Sequence, residues 1–266
     1  MAEMNVIQNI GISGFIFCAL LLILPFLVSY YFKLGIIKKS IIIVSRMSFQ
    51  LFLIGLLLTV VFDINNPLIN VLWVFVMLFF ATYTILEGTD FKTGPFLPTM
   101  LILFSIANIL VLFYFTGFII KLDDIFEARY FIPIAGMLMG NSLRANIVAL
   151  NDFYHDVKNN EQRYLYRLCV GASRKEALFP YMQRSILSSL KPTLANMATM
   201  GIVFLPGMMT GQILGGVNPI LAIKYQITIM VAIFVTTVLG VLVCVVVVVE
   251  KGFDDYDLMV EDIKKV

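Results

Sequence analysis

Seven apolar runs divide the chain, at 10–32, 40–62, 68–86, 96–120, 130–150, 192–215 and 220–249. Each is close to the roughly 20 residues that carry a helix across a hydrocarbon layer. Lipid leaves no backbone amide unpaired, and no alternating barrel pattern appears, so every run is read as a helix. Asp63-Ile-Asn-Asn-Pro67 marks the turn between the second and third runs. The pattern predicts an all-α, polytopic integral membrane protein of about seven transmembrane helices, with 1–266 forming a single domain.

Charge sets the expected direction. With the N-terminus outside, sixteen of the 19 Lys and Arg fall on the inner side, including Lys33, Lys38, Lys39, Arg46, Lys92, Lys251, Lys264, Lys265 and eight from Arg144 to Lys191. Only Lys121, Arg129 and Lys224 fall outside, so the positive-inside rule predicts N-out and C-in.

Composition agrees with this class: 60% of the 266 residues are hydrophobic and 14% charged, against about 45–50% and about 25% in soluble domains. A net charge of +2 does not suggest nucleic acid as a partner. Cys18, Cys169 and Cys244 show no disulfide or zinc spacing, and the lone His155 makes a histidine-based metal site improbable within one chain. No basic residue precedes the first run, which predicts a retained span rather than a cleaved signal peptide. No G-x-x-x-x-G-K-[ST] is present, so any nucleotide chemistry is expected on another chain.

Several runs carry groups that lipid disfavours. Arg46 and Gln50 share one face of the second, where Arg46 is near enough to the inner end to snorkel, Asn108 sits in the fourth as a candidate interhelical hydrogen bond, and in the fifth Arg144 can also snorkel while Asn141 and Asn146 give a face for protein or water. The fifth and sixth runs look alike. One reads Pro133-Ile-Ala-Gly136-Met137-Leu-Met139-Gly140-Asn141, the other Pro206-Gly207-Met208-Met209-Thr-Gly211. Each holds G-x-x-x-G, which permits close helix approach. Pro206-Gly207 predicts a bend or break, tolerated where it is buried or lines a cavity. These residues are the candidate translocation path. Met137, Met139, Met208 and Met209 offer thioethers for a soft metal ion, or simply fill gaps in a core.

The polar segment 151–191 separates these two runs. Within it, 156–170 has Leu165, Leu168 and Cys169 at helical spacing, Gly171 is a stop signal, and Ser173-Arg-Lys-Glu176 fits a capping box. The expected shape is helix, tight turn, helix, displayed on the inner side. Two uses fit it, docking a partner or lying on anionic lipid. The tail 251–266, with Asp254-Asp255-Tyr256-Asp257, is read as a solvated inner end.

The ordered set Pro133 to Asn141, Gly171-Ala-Ser173, Leu205-Pro-Gly-Met-Met-Thr-Gly211 and Asn218-Pro-Ile-Leu-Ala-Ile-Lys-Tyr-Gln226 resembles the iron-export permease family of bacterial ABC transporters, and is similar to plant aluminium-tolerance membrane proteins. The resemblance covers roughly residues 10–250. It implies a permease in the cell membrane, working as a homodimer with separate ATP-binding subunits. No cofactor would be bound by this chain, and ATP and Mg would belong to the partner. It also implies that Arg167, Gly171, Ala172, Ser173, Arg174, Lys175 and Glu176 form the coupling loop to that partner. The related importer loops carry Glu-Ala-Ala before their glycine, whereas Leu165-Tyr-Arg167 stands near that place here. Iron or another metal moving outward is the implied cargo. An organic or nucleotide-sugar solute stays open, because no Asp or Glu lies in the middle of a span. A partner-free channel or secondary transporter would instead need an intramembrane acid or relay.

Overall fold

The computed structural model describes residues 10–89, 91, 93–254 and 256–259. The readings placed on residues 1–9, Lys92, Asp255, Lys264 and Lys265 lie outside the described residues. The helices are α1 (Ile12–Leu20), α2 (Ile23–Tyr31), α3 (Ile37–Ile64), α4 (Pro67–Glu87), α5 (Thr93–Tyr114), α6 (Ala128–Asn159), α7 (Glu161–Cys169), α8 (Arg174–Thr199), α9 (Gly207–Leu214) and α10 (Pro219–Lys251). A π-helical turn, Phe115–Ile120, closes α5. The described residues form no named strand.

Among the described residues, five helical stretches are long and apolar enough to cross a membrane: Ile12–Tyr31, Ile37–Ile64, Pro67–Glu87, Phe96–Ile120 and Pro219–Lys251. The two remaining expectations change form. The run 130–150 is part of α6, a 32-residue helix more polar than these five. The run 192–215 is not one helix. α8 ends at Thr199, the chain is non-helical until Pro206, and α9 resumes at Gly207. The break expected from Pro206-Gly207 therefore begins earlier, at extended Met200, and Gly201 next turns left-handed at φ +83°.

Asparagines set several helix ends. Asn66 and Asn218 each precede a proline, and their side chains accept from the Leu68 and Ile220 N–H groups at 2.9 Å. Proline at the first helical position loses no bond, since that N–H has no intrahelical partner. Asn65, left-handed at φ 40°, ends α3, and its Oδ1 accepts from Ala128 N–H at 2.9 Å. Asn70 donates to the Phe126 carbonyl at 2.8 Å. The α3–α4 turn and the start of α6 thus share one end of the bundle. The opposite end joins Asn151 to the Gly88 carbonyl at 3.1 Å, and Lys251 Nζ to Thr99 Oγ1.

α6 is the central helix, packed against α4, α8 and α10. Its buried face runs through Phe131, Leu138, Ser142, Asn146, Ala149 and Phe153, the spacing of one helical stripe. α10 approaches closely at Gly240, where an added Cβ would lie 2.5 Å from Ser142 Oγ and 3.1 Å from Asn146 Nδ2. Ser142 Oγ donates to the Thr236 carbonyl at 3.4 Å, and Asn146 donates back to Ser142 O at 2.7 Å. Asn146 therefore faces protein, as one of its two sequence readings had it. Asn108 does not bridge helices, because its amide donates to Phe104 O on its own helix at 2.8 Å. By contrast α1–α3 are almost wholly exposed, and α3 meets the bundle at its end, where Val61 packs with Ala128 and Ile132.

Gly240→Val should destabilise the α6–α10 pair by about 1–3 kcal/mol through overpacking. Gly140→Ala, with nothing within 4 Å of the new Cβ, should leave stability nearly unchanged. Thermal unfolding of the two variants in the same detergent checks the difference.

Candidate functional site

The turn between α7 and α8 is built from local bonds. Gly171 N–H donates to the Leu168 carbonyl at 2.9 Å and Ala172 N–H to the Arg167 carbonyl at 3.1 Å, the two bonds of a Schellman cap. That cap needs a left-handed residue, and Gly171 supplies it at φ +91°. Ser173 then caps α8. Its N–H and Oγ donate to Glu176 Oε2 at 2.9 and 2.7 Å, and Glu176 N–H donates to Ser173 Oγ at 3.4 Å. These bonds hold the Glu176 carboxyl below its ordinary 4.5. Arg167 crosses the turn to the Ala177 carbonyl at 3.4 Å.

The segment 151–191 is more regular than a loop. Only Asn160 and residues 170–173 interrupt its helices. The helix expected at 156–170 is two pieces, because Asn160 folds its amide back onto the Asp156 carbonyl and Oδ1, both at 2.9 Å, and ends α6.

The tail is not a free solvated end. Arg174 Nε pairs with the Asp257 carboxylate, and its Nη2 donates to the Asp254 carbonyl at 2.6 Å. Tyr164 Oη donates to the Asp257 carbonyl at 2.7 Å. Burial first, then the charges of Asp257 and Asp254 against that of Arg174, push the Tyr164 hydroxyl up to about 12. It stays protonated, and so a donor, at any physiological pH. Lys175 lies 3.7 Å from Glu250 on the open surface, where such a pair contributes little.

Three large apolar side chains beside the turn remain bare. Tyr166, Val170 and Phe179 are 68%, 65% and 62% exposed. Tyr166 and Val170 are four residues apart, as are Lys175 and Phe179, so each pair lies on one side of its helix. None of these three apolar residues was singled out from the sequence, although the same four-residue spacing is visible there.

The candidate path residues divide between two places. Gly136, Met139 and Gly140 line an apolar groove with Ile54 of α3 and Trp73, Met77 and Phe80 of α4. Met137 is half-buried beside the main core. Gly207, Met208, Met209 and Gly211 open α9, which packs on α10. Nothing lies within 4 Å of an added Cβ at Gly140, Gly207 or Gly211, so these glycine faces are not closed within the chain. Asn141 and Arg144 line a separate polar groove of about 110 Å³ with Ser189, Thr193 and Asn196 of α8. These three lie at i, i+4 and i+7, a helical signal that the sequence reading passed over.

Asn196 lines the same groove as Asn141, about thirteen residues and so roughly 20 Å along α6. α8 ends at Thr199, just beyond it. From there the chain runs through Ile202, Val203, Phe204 and Leu205, all exposed.

A family model described as "Uncharacterised protein family (UPF0014)" matches residues 12–253. The chain belongs to the UPF0014 family. Among UPF0014 relatives, the membrane protein YjkA of Bacillus subtilis is 33% identical over 81% of this chain and 83% of its own. The protein named "Probable iron export permease protein FetB" of Escherichia coli is 28% identical over 97% of this chain and 98% of its own. "Protein ALUMINUM SENSITIVE 3" of Arabidopsis thaliana is 32% identical over 78% of this chain and 75% of its own. No solved structure matches. Names and spans agree on a multi-pass membrane protein. The UPF0014 match contains the whole α7–α8 turn and ends at Phe253, just before Asp254 and Asp257.

Ser173→Ala should fray the first turn of α8, with several-fold faster amide exchange at Glu176 and Ala177. The depressed Glu176 carboxyl gives a matching pH dependence. The cap contributes fully above 4.5 and is lost as pH falls through the lower folded value. Exchange at these two amides, corrected for intrinsic rate, should rise in acid in the wild type and be flat in Ser173→Ala.

Proposed function

We propose that this chain is the permease subunit of an ABC transporter, exporting iron or another metal ion with ATP hydrolysed on a separate subunit. The observation that carries the reading is the rigid α7–α8 elbow with Tyr166, Val170 and Phe179 bare beside it. It belongs to the polar segment between apolar runs, and a bare apolar patch with a basic surround fits a protein partner. The chain has no P-loop, and an ATP-binding subunit supplies what it lacks. The name of the Escherichia coli relative supports a permease and an iron cargo.

In this reading the N-terminus is outside and the elbow inside, the side that receives most Lys and Arg. ATP binding draws two partner subunits together and displaces the docked elbows. α8 is the lever, about 39 Å long for its 26 residues, and it ends at the break before Pro206. The equilibrium between the two access states shifts because the nucleotide-bound partner favours one of them. Irregular backbone does not face lipid, so a second copy covering residues 200–206 is the natural arrangement, a homodimer with the break and the open glycine faces near its interface. Met137, Met139, Met208 and Met209 are the cargo contacts if the ion is soft.

One observation favours an organic or conjugated cargo instead. The polar groove offers Arg144 and the amides of Asn141 and Asn196 but no carboxylate, a set suited to an anionic solute.

The test is ATPase activity of the partner subunit, co-purified with this chain in lipid, across a panel of metals and nucleotide sugars. Stimulation by iron or one other metal supports the first reading, and stimulation only by a nucleotide sugar the second. Gly171→Pro, which cannot take φ +91°, should abolish stimulation while the complex still assembles. Tyr166→Asp with Phe179→Asp should weaken assembly at least roughly tenfold. Ion flux that needs no ATP, with no ATP-binding subunit recovered, would establish a channel or secondary transporter.

A further inference from the structure

The tail after α10 is a folded hairpin. Gly252 N–H closes α10 on the Val248 carbonyl at 2.7 Å. Asp254 Oδ1 then accepts from Tyr256 N–H and Leu258 N–H at 3.0 and 2.7 Å, and Asp254 N–H donates to the Leu258 carbonyl at 2.9 Å. Asp257 sits left-handed at φ 61°. Phe253 is buried, its ring 5.7 Å from that of Tyr164. Arg174 lies at the centre of this contact. It meets the Asp257 carboxylate, the Asp254 carbonyl and, at 6.0 Å, the Phe253 ring.

The first residue of α8 and the middle of α7 are therefore held by one short piece of chain that grows out of α10. We propose that the hairpin formed by residues 252–254 and 256–259 is a brace, fixing the α7–α8 elbow to the end of α10. Arg174 and Tyr164 are then positioning residues rather than contacts for a partner. Without the brace, a load on the elbow reaches the bundle through α7, which joins α6 at the Asn160 interruption, and along α8, whose bonding is interrupted at Pro180 and Pro192. With it, elbow and α10 move as one body, and α10 carries the motion along its long contact with α6. The mechanical consequence rests on the coupling role proposed above, whereas the brace itself does not.

The first experiment uses the chain alone in lipid nanodiscs. Amide hydrogen exchange across residues 165–180 is compared in wild type, Asp257→Asn, and the reversed pair Arg174→Asp with Asp257→Arg. The brace predicts elbow amides exchanging roughly three- to tenfold faster in Asp257→Asn, an unchanged α4 interior, and recovery in the reversed pair. Equal exchange in all three overturns it. The second experiment uses the complex with the ATP-binding subunit and compares cargo moved per ATP. Asp257→Asn should lower that ratio several-fold while assembly and ATP hydrolysis stay within about twofold. Loss of assembly would make Arg174 a docking residue and overturn the assignment, as would an unchanged ratio. Failure of wild type to recover any ATP-binding subunit would sink the proposed function, and the exchange measurement would still decide the brace.

Discussion

In hydrocarbon a peptide group has no water to bond, and the architecture follows from that. The apolar runs become helices because only a helix satisfies its backbone within one segment. Helix ends are the exposed points of such a design, and here asparagine side chains close several of them. Asn66 and Asn218 bond the first turns of α4 and α10, and Asn65 bonds the first N–H of α6. The stretch between α8 and α9 is the departure. Its few internal bonds, such as Gly201 N–H to the Phe204 carbonyl at 3.0 Å, leave more backbone bare than lipid accepts. In an otherwise helical bundle, that makes it the place where the surroundings must differ.

The same rule explains why the close α6–α10 contact at Gly240 is polar. Between helices in lipid there is little hydrophobic gain, so close packing and buried hydrogen bonds hold them together. Gly240 lets α10 approach α6 until Ser142 reaches the Thr236 carbonyl. Below the bundle water returns, and the bonding changes character. The elbow is closed by a Schellman glycine and a capping box, and it is tied down by an arginine between a carboxylate and a carbonyl.

What could be read from the chain was what depends on neighbours in sequence. Gly171 as a helix stop and Ser173 with Glu176 as a capping box are signals spaced three residues or fewer apart, and they stand as read. Pro206-Gly207 announced a break, but its start at Met200 depends on how α8 meets α6 and α10. The tail misled for the opposite reason. A cluster of acids looks solvated in sequence, and nothing local says that Arg174, some eighty residues away, will fold against Asp257. The methionines and glycines of α6 and α9 resembled one another, yet that likeness did not bring them together, because α9 packs on α10.

The exposure of α1–α3 also bears on how the protein is made. Ile37–Ile64 meets the later helices at one end, through Val61 with Ala128 and Ile132. Those partners are synthesised more than sixty residues after it. Each early helix must therefore leave the translocation machinery and remain in lipid alone, and only a thoroughly apolar helix can do so. α6 emerges later, with α4 and α5 already in place, and its Ser142 and Asn146 are covered once α10 brings Thr236 and Gly240. Polarity is thus distributed by company: the early helices left bare carry their own solubility in lipid, and α6 and α8, packed among several neighbours, can bring the polar groups.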